Sequence, residues 1–400
     1  MQPEKPGYEH YWDPLRALLM LLGIPYHASL LYSHALAWDI KDFETSPILT
    51  TLGAALATFR MPAFFLVAGY FSIMVIGRKG KMPWLRQRFL RLGVPFIVAM
   101  LLLGPSQLFL LRLAGVAKGN IPADRLMQNL PDLLLPSEQW IMHLWFLPAL
   151  IAYSVLLAGL LFLAGHPPLA YLSDWFDRML ARYPTAFFAA LCTFPVLWEL
   201  MIYGSGLFAG KSGNGLFLLY ERASDPYARY LPFFLIGALL HRDRVLFDRF
   251  RQTGILTGVV TFGAIVAAVT LRLQNPFSNS ALLALVSTIA AVAASRLLID
   301  LAYRFFDRPS RFVGRMTDAS FSIYLFHHPL IYAFGTLFIL ISLPPVLEFA
   351  IIVAATTGTA YMLHRAIRRS PLALFLFNGI RKPRPAPDIG TQTPASQTLR

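Results

Sequence analysis

Asp13, Arg16, His27 and His34 stand in or beside the first apolar stretch of the chain. Eleven positions separate Arg16 from His27, a little over three helical turns, so on a helix they share one face about 16 Å apart. Asp13 precedes Arg16 by three residues and His34 follows His27 by seven, both on that side. A polar stripe through an apolar helix has to face a bundle interior or a water-filled cavity. The chemistry it suggests is proton transfer, because imidazole is suited to taking a proton from a hydroxyl near neutral pH. The plainer readings are an interfacial ion pair for Asp13 and Arg16, an interhelical hydrogen bond for His27 and an interfacial place for His34.

Other stretches add polar groups where the surroundings are apolar. Arg60 lies inside the run Phe59-Arg60-Met61-Pro62, and Gly69 and Ser72 follow it. An arginine within a span costs roughly 2.5–3.5 kcal/mol on insertion scales, so a partner or an anionic ligand is expected. Gly69 permits close helix approach. The following loop holds Arg78, Lys79, Lys81, Arg86, Arg88 and Arg91 with no acid. Membrane orientation explains much of this, and a landing site for phosphate groups is the sharper reading. Further on come His143 and Trp145, then Glu199, then Tyr324, His327 and His328. Trp145 reads most simply as an aromatic-belt anchor. Glu199 is placed to orient His27 or to pair with Arg60. Tyr324 and His328, four apart on one helical face, suit a hydrogen-bonded network.

These residues need elements that hold them in a bilayer. The chain is 56% hydrophobic and 14% charged, with mean hydropathy +0.55, too little charge to cover a soluble domain of 400 residues. The expected fold class is all-α, a polytopic membrane bundle of about ten helices. The spans read as Leu15–Tyr32, Thr51–Ile76, Phe89–Leu111, Leu144–Ala164, Ala186–Tyr203, Tyr227–Leu240, Ile255–Leu271, Ala281–Ile299, Phe321–Leu343 and Val346–Leu363. The sixth is short for a full crossing. With both termini cytoplasmic, 26 lysines and arginines fall inside and 8 outside, Arg60 completing the 35. That asymmetry is an orientation signal, and it accounts for the net charge of +14 without nucleic acid. Residues 1–380 read as one membrane domain and 381–400 as a disordered cytoplasmic tail. The first apolar run is expected to be retained as a helix and not removed as a signal peptide. Cys192 is the single cysteine, so neither an intrachain disulfide nor a metal framework is implied.

Arg16 followed by ten residues and then His27, Phe59-Arg60…Phe64-Phe65…Gly69-Tyr70-Phe71, the arginine-rich entry to the third span, His143-Leu-Trp-Phe-Leu and Ser322-x-Tyr324-Leu-x-His327 together resemble the acyltransferase 3 membrane family, in its order and across most of the chain. The resemblance implies a multi-pass enzyme of the bacterial inner membrane with ten spans, a cytoplasmic acyl-CoA donor and no bound cofactor. The branch that these runs resemble moves succinyl groups from succinyl-CoA onto osmoregulated periplasmic β-glucans. The family's essential arginine and histidine fall on Arg16 and His27. Under that reading Asp13 and Glu199 support His27, and Arg60 holds the succinyl carboxylate. His34, His143, Trp145, Tyr324, His327 and His328 line the substrate path, and Arg86, Arg88 and Arg91 take the donor's phosphates. One departure is Ala68, where the family usually has serine. The rivals are an O-acetyltransferase of O-antigen or exopolysaccharide, and a transporter of glycan or acyl donor. Self-association stays open.

Overall fold

In a computed structural model the described residues are 9–135, 137–165, 175, 178–212, 227–274, 280–341 and 343–381. They form helices joined by turns, with no strand among them. The chain is a multi-pass helical membrane protein. Eight helical stretches of the described residues are long and apolar enough to cross a bilayer. They account for eight of the ten spans read from the sequence. The other two, the first and the sixth, take unusual forms, and both line the site described below.

The first span is divided into α1 (Trp12–Leu21) and α2 (Gly23–Leu30). The sequence marks an interruption of this span at Pro25, and the structure divides it just before that residue. Pro25 has no N–H to give the Leu21 carbonyl, and Gly23 is the poorest helix former short of proline. The ladder resumes with the Tyr26 N–H donating to the Leu22 carbonyl at 3.2 Å.

After a loop, α3 (Pro47–Lys79) starts where its sequence says it should. The Ser46 side chain accepts from the Leu49 N–H, and Pro47 fills the first turn. A short α4 (Lys81–Arg88) and a π-helical turn (Phe89–Gly93) lead into α5 (Val94–Ala117). Then follow α6 (Phe146–Leu163), α7 (Pro184–Ser212) and the short α8 (Leu231–Arg242). After α8 the amphipathic α9 (Arg244–Arg251) tucks Leu246, Phe247 and Phe250 into the core. The last group is α10 (Ile255–Gln274), α11 (Ala281–Phe306), α12 (Arg311–Ile339), α13 (Pro345–Arg369) and α14 (Pro371–Asn378). Arg304, Arg311 and Arg315, outside the spans read from the sequence, are helical. The sequence-based tail begins at 381, and residues 382–400 lie outside the described ones.

The packing centre is α3, which touches α2, α8, α10 and α11. At twelve residues α8 is about 18 Å long, well short of a hydrocarbon core of about 30 Å. It holds its place by backbone approach. A Cβ added to Gly69 would stand 1.9 Å from the Phe234 carbonyl oxygen, and one added to Gly237 1.8 Å from that of Leu66. Only hydrogen fits between these two helices, as Gly69 promised in the sequence.

Candidate active site

His27 lies on α2 just past the break, and its ring is boxed in by other rings. Its centroid is 4.8 Å from Trp38, 5.3 Å from His327 and 5.1 Å from His328. Trp38 comes from the loop between α2 and α3. That loop is held by Tyr332, whose hydroxyl donates to Asp39 at 2.6 Å, and by the Lys41 ammonium, which donates to the carbonyls of Leu30 and Ser33 at 2.8 Å and to that of Leu36. Burial, with Lys118 as the lesser cause, lowers Lys41 to about 8. His34 sits apart from the box, at the start of this loop, with Nδ1 3.3 Å from the Thr50 hydroxyl.

His143, His327 and His328 complete the box, and their hydrogen bonds fix which ring nitrogen carries a proton. Carbonyl oxygens can only accept, so His327 Nδ1–H donates to Tyr324 O at 2.5 Å and His143 Nε2–H to Leu325 O at 3.2 Å. Gln107 gives its amide nitrogen to Leu103 O, which turns its oxygen to His328 Nδ1 at 2.6 Å. The remaining nitrogens of His143 and His327 are buried without partners, as is Nδ1 of His27. His143 stacks on His328 at 4.5 Å, while the Tyr324 hydroxyl donates to the His143 carbonyl. Tyr324 and His328 share no hydrogen bond: Tyr324 bonds the His143 backbone, His328 bonds Gln107, and ring stacking alone joins His143 to His328. Met142, just before His143, has φ +36°, a strained value for a side-chain-bearing residue and a common mark of functional segments. Among the described residues no group of three or more His, Cys, Asp or Glu is spaced to hold a metal ion.

His27, His143 and Tyr324 border an open cavity of about 330 Å³. Arg60 projects into it from α3. Its guanidinium carbon lies 4.5 Å from the Tyr26 ring centroid, its Nε is buried without a partner, and no carboxylate of the described residues pairs with it. A Cβ on Gly23 would stand 3.0 Å from Arg60 Nη1 and 3.3 Å from His327 Nε2. The break in the first span thus lets a cation and an acceptor nitrogen close on one point of the backbone.

Glu199 borders the same cavity but faces neither His27 nor Arg60. It lies 3.2 Å from Arg229 Nε, and Arg272 also lines the wall. The sequence reading missed both arginines as site residues, since each counted as an outer-loop charge. An acid within a span was the available signal that a basic residue must come to it. Trp145 turns inward, stacked at 5.8 Å on Tyr230, and the belt reading gives way to a place in the cavity wall.

The remaining predicted residues gather at the other end of α1. Arg16 lies over Phe71 at 4.8 Å and is an electrostatic neighbour of Arg88, as is Arg91. Arg88 donates to the Ser72 hydroxyl at 2.9 Å, and Ser72 donates to the Ala68 carbonyl. Arg86 and Arg91 are exposed. The Asp13 carbonyl accepts from Thr317 on α12. The structure therefore groups the residues into an arginine cluster and a histidine–arginine cavity, joined by α1 and α2.

The family model described as an acyltransferase domain matches residues 9–365. The chain is 28% identical to the Glucans biosynthesis protein C of Salmonella paratyphi B and of Salmonella enteritidis, over 385 residues covering 93% of this chain and 94% of theirs. It is also 28% identical over 388 residues to the Glucans biosynthesis protein C of Salmonella agona. No solved structure matches the chain.

Proposed function

We propose that this chain, which belongs to the acyltransferase domain family, moves a succinyl group from cytoplasmic succinyl-CoA to a hydroxyl of a periplasmic glucan in the bacterial inner membrane. His27 takes the proton of the sugar hydroxyl while its oxygen attacks the thioester carbonyl. The C–S bond breaks, and the thiolate of CoA leaves with a proton returned by the imidazolium. Arg16, Arg88 and Arg91 face the phosphate-bearing end of the donor, for which arginine offers bidentate contacts. The boxed rings of Trp38, His327 and His328 hold the His27 ring in place, and the acceptor's hydroxyls meet the free acceptor nitrogens of His143 and His327.

Arg60 is the observation that carries the choice of acyl group. A buried guanidinium with no carboxylate partner calls for an anion, and a succinyl group brings one where an acetyl group does not. Purified protein supplied with glucan and either succinyl-CoA or acetyl-CoA tests this by CoA release. Succinyl-CoA should be the better donor, and Arg60→Ala should remove that preference. Equal losses with both donors would leave Arg60 without its carboxylate role. His27→Ala should lower transfer by about 10²–10⁴-fold with the protein still folded. Retention of more than a small fraction of activity would remove His27 as the base.

A further inference from the structure

A second cavity, of about 470 Å³, lies between α12 and α13 at the end of the bundle away from the histidine box. Arg315, Arg365, Arg368 and Arg369 line it together with Asp318 and His364. The single carboxylate is already engaged. Asp318 accepts from Arg368 and lies 3.6 Å from His364 Nε2. No carboxylate of the described residues pairs with Arg315, Arg365 or Arg369. The floor is built, not loose. His364 is 3% exposed, its Nδ1 is 2.9 Å from the Ser322 hydroxyl, and Ser322 in turn reaches Asn378 of α14 at 3.2 Å.

What flanks the arginines narrows the ligand. Phe312, Met362 and Leu372 are 70%, 71% and 66% exposed, one on each of α12, α13 and α14 and each three positions along the chain from a pocket arginine. A soluble phosphate ester would use the guanidinium groups and leave this apolar rim idle. A phospholipid would use both, with its headgroup among the arginines and its chains along the rim. Charge asymmetry puts this end at the cytoplasmic leaflet, where basic pockets between membrane helices suit anionic headgroups.

We infer that this pocket binds the headgroup phosphate of an anionic phospholipid, held by Arg315, Arg365 and Arg369, with the acyl chains lying over Phe312, Met362 and Leu372. The site stands apart from the acyl donor and its reading does not depend on the proposed reaction.

The test uses the full chain in neutral detergent, titrated separately with phosphatidylglycerol, phosphatidylcholine and CoA, with bound lipid counted by native mass spectrometry. Phosphatidylglycerol should bind the native protein and phosphatidylcholine should not. Arg365→Gln with Arg369→Gln should weaken the phosphatidylglycerol complex by roughly 30-fold, while Arg78→Gln leaves it unchanged. Arg315→Gln alone should give a smaller loss in the same direction and replaces the double variant should that fail to fold. Equal binding of both lipids, or native-like binding by the variants, would overturn the assignment. Displacement of phosphatidylglycerol by CoA, with a raised KM for the donor in the variants, would overturn it too, by giving the pocket to the donor.

Discussion

Arg60 sets the sharpest demand on any single residue, because its charge is held among aromatic rings and a glycine. The guanidinium reaches the cavity only because Gly23 carries no side chain, a Cβ there standing 3.0 Å from Nη1 and 3.3 Å from His327 Nε2. Gly23→Ala is therefore expected to push Arg60 and His327 apart. Transfer should fall by up to about 10²-fold, the scale of a 1 Å misplacement, while the melting profile in detergent stays near native. An unchanged rate would mean that Arg60 does not work from this position. Arg16, His27, Arg60 and the ninth-span histidines were legible in the sequence because each is a polar residue in or beside an apolar run, where chance is expensive. Trp38, Gln107, Arg229 and Arg272 were not. A tryptophan and three polar residues near span ends look ordinary until tertiary packing turns Trp38 onto His27, Gln107 onto His328, Arg229 onto Glu199 and Arg272 into the cavity wall.

Helix existence was legible from apolar run length, and the boundaries were not. A run of apolar residues reports where lipid is, whereas α11 and α12 carry on past it because their serine-capped starts and helix-forming residues have no reason to stop at the bilayer edge. The interruption of the first span was legible at Pro25, whereas Gly23, which shares the break, acts on the hydrogen-bond ladder and leaves hydrophobicity untouched. The short α8 depends on Gly69 and Gly237, so Gly69→Ala should destabilise the bundle by about 3 kcal/mol, the upper end for overpacking. Gly77→Ala on the same helix should change little, since nothing lies within 4 Å of its added Cβ. Thermal midpoints of the two variants side by side decide the point. The loop that carries Trp38 yields a pH prediction. Lys41 loses its proton near 8 in the folded protein and near 10.5 when unfolded. Between those values the unfolded chain binds the extra proton, so stability rises with pH there. Lys41→Met should lack that rise relative to the native protein.

Over the whole molecule the charge asymmetry predicts which end faces which compartment. In a Cys192→Ser background, Glu44→Cys should react with a membrane-impermeant thiol reagent in intact cells, and Ser310→Cys only after permeabilisation. The reverse pattern would invert the bundle and exchange the compartments of donor and acceptor. Placed this way, the open cavity has an electrical consequence. Where solvent from the outer compartment fills that cavity as far as His27, it carries the outer potential with it, and most of the membrane voltage then falls between His27 and the Arg16–Arg88 cluster. One elementary charge crossing 100 mV exchanges about 2.3 kcal/mol. With the interior negative, an acyl group bearing a carboxylate is driven outward toward Arg60, and a neutral one feels no such pull. An energised membrane would then sort donors by charge before any side chain touches them.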